Sequence, residues 1–248
     1  MKNLDSKHMI IGGLQKFSLL DYPNEISAII FTAGCNFRCQ YCYNPILVCL
    51  EDDDKFKNNG EKGRSQIDEE GLFNFLKNRV EKLNAVVITG GEPTMHDDLP
   101  DFILKIKKLS FKVKLDTNGT NPKMLQDLIK KKLIDYIAMD IKGGKEKYNL
   151  ITGTKVDFEN IQKSIIIIKK SGLPYEFRTT LVPDLVNLAD IKEIGRELRG
   201  ASNWFLQRFR SNSALINNDL KNNKPYNEEA LRKMRATGAE YAKKCLLR

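Results

Sequence analysis

Short runs rich in β-branched and aromatic residues recur along the chain, bounded by Gly, Pro, Asp or Asn: Ile26–Thr32, Ala85–Thr89, Lys112–Leu115, Tyr136–Met139, Tyr175–Leu181 and Asn203–Phe209. This pattern predicts strands. Between them the apolar positions shift to helical spacing. Asp68–Leu83 puts Leu72, Leu76, Val80 and Leu83 on one face with Asp68 as N-cap. Leu99–Leu109, Pro122–Lys132, Phe158–Lys170 and Leu188–Leu198 repeat the pattern, and Gly172 stops the fourth. Strands alternating with helices imply parallel pairing, because a parallel crossover needs a dozen or more residues. Six such βα units predict an α/β fold, either a parallel sheet or an incomplete barrel.

One stretch breaks this rhythm. Glu51–Ser65 is almost entirely charged, Asn or Gly. It cannot offset its ordering entropy by burial and is expected to be a mobile insertion. No other linker or long-period repeat interrupts the chain, so a single domain over residues 1–248 is expected. The 248 residues are 41% hydrophobic and 29% charged, enough for a sizeable core and against disorder as the default state. No window approaches 18 consecutive apolar residues, which excludes a helical membrane span. Met1–His8 carries Lys2, Asp5 and Lys7 and has no apolar core, unlike a secretory signal. A cytoplasmic protein is expected.

The net charge is +9, and Lys221–Arg248 contributes eight basic against three acidic residues. Partly helical spacing predicts a basic C-terminal helix over 221–248. It is read as the solvated face of a packed helix in preference to a docking surface for an acidic protein or nucleic acid.

The candidate chemistry begins just after the first strand, in Phe31-Thr-Ala-Gly-Cys-Asn-Phe-Arg-Cys-Gln-Tyr-Cys-Tyr-Asn-Pro45. Cysteines clustered in a reducing compartment point to metal or redox chemistry rather than to a disulfide scaffold. Cys35, Cys39 and Cys42 can bring three thiolates to one centre, and three ligands leave an iron-sulfur cubane with one open iron. Two other readings stay open. Zinc would need a fourth ligand from Cys49, His96 or His8. Three unliganded buried thiols would sit in a poor apolar pocket beside Asn36, Arg38 and Gln40.

Cys35-Asn-Phe-Arg-Cys-Gln-Tyr-Cys42 resembles the signature of the radical S-adenosylmethionine (SAM) enzymes. The resemblance implies an incomplete (β/α)6 barrel of the radical SAM type, with parallel strands and outer helices. It also implies a [4Fe-4S] cluster on Cys35, Cys39 and Cys42, whose fourth iron is chelated by the SAM amino and carboxylate groups. Gly90-Gly91-Glu92-Pro93, read alone, is a turn whose carboxylate caps the next helix. It is also similar to the superfamily's GGEP segment, in which the glycine backbone and the Glu hold the SAM amino group. Tyr41 is read either as packing near the adenine or as filling the loop.

Leu115-Asp-Thr-Asn-Gly119 and Met139-Asp-Ile-Lys142 close the third and fourth strands, where an α/β barrel builds its site. Without context, Asp116 and Asp140 read equally as caps. Both segments are similar to those of the activases of glycyl-radical enzymes, such as the pyruvate formate-lyase activators. There, Asp116, Thr117, Asn118, Asp140 and Lys142 would contact SAM, and the two aspartates would help form a small-cation site. Arg178 is read either as a further SAM contact or as half of a structural salt bridge.

Gly12-Gly-Leu-Gln-Lys-Phe-Ser-Leu-Leu-Asp-Tyr-Pro23 resembles the anaerobic ribonucleoside-triphosphate reductase activating proteins. So do Lys142-Gly143, Ile151-Thr-Gly153 and Leu206-Gln-Arg-Phe209. That resemblance implies a glycyl-radical reductase as protein partner, a flavodoxin- or ferredoxin-type electron donor, and no membrane or nucleic-acid partner. Lys114, Arg178 and the basic tail are the candidate partner contacts. There are departures: Tyr43 stands where many relatives have His, and Gln207 and Arg208 stand where some activators place a SAM-contacting His. Cys49 and Cys245 are read as structural thiols. The rival readings are a radical SAM enzyme acting on a small molecule, of the 7-carboxy-7-deazaguanine synthase kind, and a noncatalytic zinc-stabilised RNA-binding module.

Overall fold

The computed structural model describes residues 9–48, 67–212 and 214–248. The insertion expected over 51–65, His8 and Cys49 lie outside the described residues. The chain forms two compact units. The first comprises Met1–Asn36, Ile46–Thr117 and Lys123–Tyr136, and the second Phe37–Pro45, Asn118–Pro122 and Ile137–Arg248.

In the first unit β1 (Ile11–Ser18) runs antiparallel to β2 (Ser27–Thr32), and β3 (Ala85–Gly90) and β4 (Lys112–Thr117) continue in parallel. The register sets Ile30, Ile88 and Leu115 in one fully buried row. Ile29 and Val87, which alternate with that row, cluster with Tyr22, Ala85 and Tyr136. Both faces are therefore covered, as continuous apolar runs in parallel strands require. The intervening helices are α1 (Pro45–Val48), α2 (Glu69–Lys77), α3 (Leu99–Lys108) and α4 (Pro122–Lys130).

Asp68 caps α2 as expected, its side chain accepting from the Gly71 amide. The helix ends at Lys77, however, rather than at Leu83. The Asn78 amide closes the last turn on Asn74, and Glu81 takes a left-handed φ of 69°, which turns the chain out of the helix. Val80 is consequently 39% exposed, while Leu83 remains buried.

In the second unit β5 (Tyr136–Asp140), β6 (Tyr175–Leu181), β7 (Trp204–Arg208) and β8 (Cys245–Leu247) pair in parallel in that order. Between them lie α5 (Tyr148–Thr152), α6 (Phe158–Lys170), α7 (Leu188–Glu197) and α8 (Glu228–Ala239). Asn187 and Asp190 form a reciprocal capping box at the start of α7. All six expected strands are present, within a residue or two of their expected ends. No helix among the described residues is long and apolar enough to cross a membrane.

The basic helix expected over 221–248 is confined to α8. Beyond it the Lys243 amide donates to Ala201 and the Lys244 carbonyl accepts from Trp204, which draws the chain into β8. Gly238 lets α8 approach this strand: a Cβ there would lie 2.6 Å from Cys245 Sγ and 3.2 Å from the Trp204 ring. Gly238→Ala is expected to lower the melting temperature, because overpacking of about 1–3 kcal/mol outweighs the helix gain of about 0.5–1 kcal/mol. Adding Cys245→Ala should recover most of the loss. A rise in melting temperature for the single variant would refute this packing.

Candidate active site

The site residues of the first unit stand at the C-terminal ends of β2, β3 and β4. Beyond β2 the chain turns at Gly34 (φ 90°), and Gly90 (φ 119°) ends β3. The Gly91 amide donates to Thr32 at 2.8 Å and the Glu92 amide to Gly34 at 2.8 Å. A Cβ on Gly91 would fall 1.9 Å from the Gly34 carbonyl oxygen, so this pairing requires glycine.

Glu92 is only 1% exposed. Its Oε1 accepts from the Thr94 amide at 3.1 Å and from the Thr94 hydroxyl, capping the turn Pro93–Met95. It also accepts from the Thr117 hydroxyl at 2.7 Å. The capping role that the bare sequence suggested is thus realised, and the same carboxylate ties β3 to β4. His96, a ligand candidate in the zinc reading, places Nε2 3.0 Å from the Ala33 carbonyl. Burial lowers its pKa, against the pull of that carbonyl and of Asp98 and Asp97. Cys35 continues this loop, its amide donating to Val48 at 3.2 Å.

On β4, Lys114 and Asp116 share a face, with Lys114 Nζ 2.5 Å from Asp116 Oδ1. Lys114 was expected to contact a protein partner. Its side chain is 2% exposed, so that expectation is corrected. Its stem lies in the apolar interior, where only a paired ammonium is tolerated.

In the second unit the cysteine loop is anchored to α5. That helix ends in Gly153 (φ 65°), and its last carbonyls, Thr152 and Ile151, accept from the Arg38 (2.7 Å) and Gln40 (3.3 Å) amides. These acceptors have no partner within their own helix, so the loop caps the helix and the helix shapes the loop. Gln40 is gripped further: its Nε2 donates to Leu150 at 3.0 Å and its Oε1 accepts from Asn217 Nδ2 at 3.0 Å. The Cys42 amide donates to Cys39 at 3.0 Å. Tyr43 stacks on Phe209 and accepts from the Arg210 amide at 2.8 Å. Sequence reasoning assigned no task to α5, Gln40 or Asn217. The available signal was Ile151-Thr-Gly153, a helix end with glycine just past it.

Asp140 closes β5 directly opposite Arg178 on β6. Arg178 Nε lies 2.7 Å from Asp140 Oδ1 and Lys142 Nζ 3.0 Å from Oδ2. Arg178 is thus in the salt bridge weighed as one of its two readings, and it is largely buried rather than offered to a partner. Burial alone would raise the Asp140 carboxyl. Arg178 and Lys142 outweigh it and hold the carboxyl well below the usual range. Asn118 caps its own turn, its Oδ1 accepting from the Thr120 amide (3.0 Å) and hydroxyl (2.7 Å). At the tail, Arg208 pairs with Glu228 on α8.

Lys142 lies 5.8 Å from the centre of the Tyr41 ring. Burial pushes the Cys39 thiol up to about 11, partly opposed by Lys142, and also raises Cys42. The hydroxyl of Tyr41 is buried without a hydrogen-bond partner among the described residues, and the Tyr41 and Tyr148 hydroxyls both feel the charges of Cys39, Asp140 and Lys142.

These residues fit a cluster and SAM by donor chemistry. None of Cys35, Cys39 and Cys42 is in a disulfide, and the orphaned Tyr41 phenol beside Cys39 and Lys142 calls for an acceptor atom. No three Cys, His, Asp or Glu among the described residues are drawn tightly enough together to grip a single metal ion as they stand. A cubane instead spreads its three thiolates over three irons.

Residues 29–198 match the radical SAM superfamily, and the chain belongs to it. As a member it is an enzyme that uses a [4Fe-4S] cluster and SAM. It is 35% identical over 210 residues to a Methanocaldococcus jannaschii protein provisionally named a glycyl-radical enzyme activating enzyme, covering 83% of this chain and 82% of that one. It is 25% identical over 212 residues to the pyruvate formate-lyase-activating enzyme of Streptococcus mutans, covering 81% and 75%. In fold it is similar to Streptococcus suis SuiB bound to S-adenosylmethionine, with a TM-score of 0.62 at 15% identity, over 87% of this chain and 48% of that one. The fold is the α/β radical SAM type, as expected. Membership in this enzyme superfamily sets aside the zinc-stabilised RNA-binding module.

The anchoring of the loop by α5 can be tested. Gly153→Ala would place a Cβ 2.6 Å from the Arg38 carbonyl oxygen at a left-handed φ. It is expected to reduce iron bound per chain on reconstitution while far-ultraviolet circular dichroism stays unchanged. Full iron loading would refute the anchoring role.

Proposed function

We propose that the protein activates a glycyl-radical enzyme, and that its partner is an anaerobic ribonucleoside-triphosphate reductase. The observation that carries the activase part of this reading is the 35% identity, sustained over most of both chains, to a protein named for glycyl-radical enzyme activation. The choice of a reductase as partner rests on the resemblance of Gly12–Pro23, Lys142-Gly143, Ile151–Gly153 and Leu206–Phe209. The strand-end segments Asp116-Thr-Asn118 and Asp140-Ile-Lys142 support the activase part, since they are similar to those of the activases. When bound, the cluster and SAM would supply one-electron reductive cleavage of the sulfonium to methionine and a 5′-deoxyadenosyl radical, the species able to take a hydrogen atom from a glycine of the partner.

In this reading Cys35, Cys39 and Cys42 hold the cluster, and the loop pinned by α5 sets where Cys39 and Cys42 stand. The Gly90-Gly91 backbone and Glu92 receive the SAM amino group, a cation suited to a buried carboxylate already positioned by Thr94 and Thr117. Lys142, kept charged by Asp140 against the cost of burial, would contact SAM. Arg178 fixes Asp140, and Tyr41 flanks the cofactor from the cysteine loop. No side chain needs to act as a general base, consistent with a chain of only two histidines. The electron comes from a flavodoxin- or ferredoxin-type donor.

The test is electron paramagnetic resonance after the reconstituted, reduced protein is mixed with SAM and an anaerobic ribonucleotide reductase. A glycyl-radical doublet that is lost when the target glycine of the reductase is replaced by alanine is the expected result. Uncoupled SAM cleavage with no doublet would overturn this choice of partner. A doublet on a different glycyl-radical enzyme alone would retain the activase reading and replace the partner.

A further inference from the structure

We propose that Lys114 is a resident cation at the Asp116 end of β4, a positioning residue, so that this protein needs no monovalent metal ion there. The resemblance to the activases implies a small-cation site using Asp116 and Asp140. The residues around these aspartates do not fit one.

Lys114 and Asp116 are two residues apart on β4 and point to the same side. Lys114 is in register with Val87, whose side chain packs with Tyr22, Ile29 and Tyr136. The lysine stem therefore lies along an apolar surface. Its ammonium sits 5.9 Å from the Tyr136 ring centre and 2.5 Å from Asp116 Oδ1, with the side chain 2% exposed. An ion pair this buried survives only when its charges balance locally. A metal ion added at Asp116 would leave an uncompensated positive charge beside a lysine that cannot reach water. Asp140 likewise has two protein cations in contact, Arg178 and Lys142, and Arg178 Nη1 also lies 3.9 Å from the buried Glu176 carboxylate, which balances the second charge. Each strand-end aspartate is thus served by the protein's own side chains. Lys114 holds Asp116 in one orientation without exchanging with solvent.

The inference rests on the place of Asp116 at the cofactor end of its strand and not on which protein is activated. SAM affinity of the reconstituted protein is measured by equilibrium dialysis in sodium, potassium, lithium or choline chloride at constant ionic strength, alongside thermal melting in each salt. For the wild type, affinity is expected to agree within about twofold across the four salts, with no saturable shift in melting. Lys114→Met should bind SAM at least about tenfold more weakly in choline and recover saturably with sodium or potassium, while Lys114→Arg should stay indifferent to the cation. Saturable dependence of the wild type on one metal cation would overturn the proposal, and so would Lys114→Met binding SAM normally in choline. The wild-type series decides the question even if Lys114→Met does not fold.

Discussion

Two peptide groups with no room between them for a side chain set the geometry of the first unit. Gly34 follows β2 and Gly91 follows β3, and the Glu92 amide donates to the Gly34 carbonyl where a Cβ on Gly91 would collide with that oxygen. This contact fixes where the chain leaves β2 just before Cys35. It also seats Glu92 so that one carboxylate oxygen serves Thr94 and, across on β4, Thr117. Three strand ends are locked together by backbone and carboxylate rather than by flexible surface chains. Such preorganisation is what a site needs if it is to hold a reactive cofactor without rearranging around it.

The second unit solves a similar problem differently. Its part of the cysteine loop runs from Phe37 to Pro45 and carries no regular structure after Asn36 until α1 begins, so its backbone groups must find partners elsewhere. A five-residue helix supplies them, since the carbonyls of Ile151 and Thr152 would otherwise go unpaired. Charge is then concentrated beside the loop: Lys142 and Arg178 on Asp140, with Lys142 above Tyr41 and felt by Cys39. Burial raises the thiols, and the lysine works against it. Without a cluster the net effect keeps both thiols protonated, and thiolates there would need the positive charge of bound iron.

Much of the framework was legible in the sequence because parallel strands are short, apolar and sharply bounded, and those six runs are where the strands lie. β1 escaped because Gly12, Gly13, Gln15 and Lys16 break its apolar alternation, and its partner is an antiparallel neighbour outside the βα rhythm. β8 escaped because three residues in a basic stretch carry no period. The cysteines were legible from spacing, and so was the capping role of Glu92, whereas its bond to Thr117 on β4 depends on strand order. Lys114 was read as a partner contact, although Asp116 two positions on was the available clue to a buried pair. The Arg178–Asp140 bridge joins residues 38 apart, and only the register of β5 on β6 reveals it.

The central claim is that Cys35, Cys39 and Cys42 hold a cluster that acts on SAM. The most direct measurement is 5′-deoxyadenosine formed after anaerobic reconstitution with iron and sulfide, reduction and addition of SAM, compared between the wild type and Cys39→Ala. The account predicts product from the wild type and none from the variant. A wild type that takes up no iron, binds one zinc per chain and forms no 5′-deoxyadenosine would contradict it.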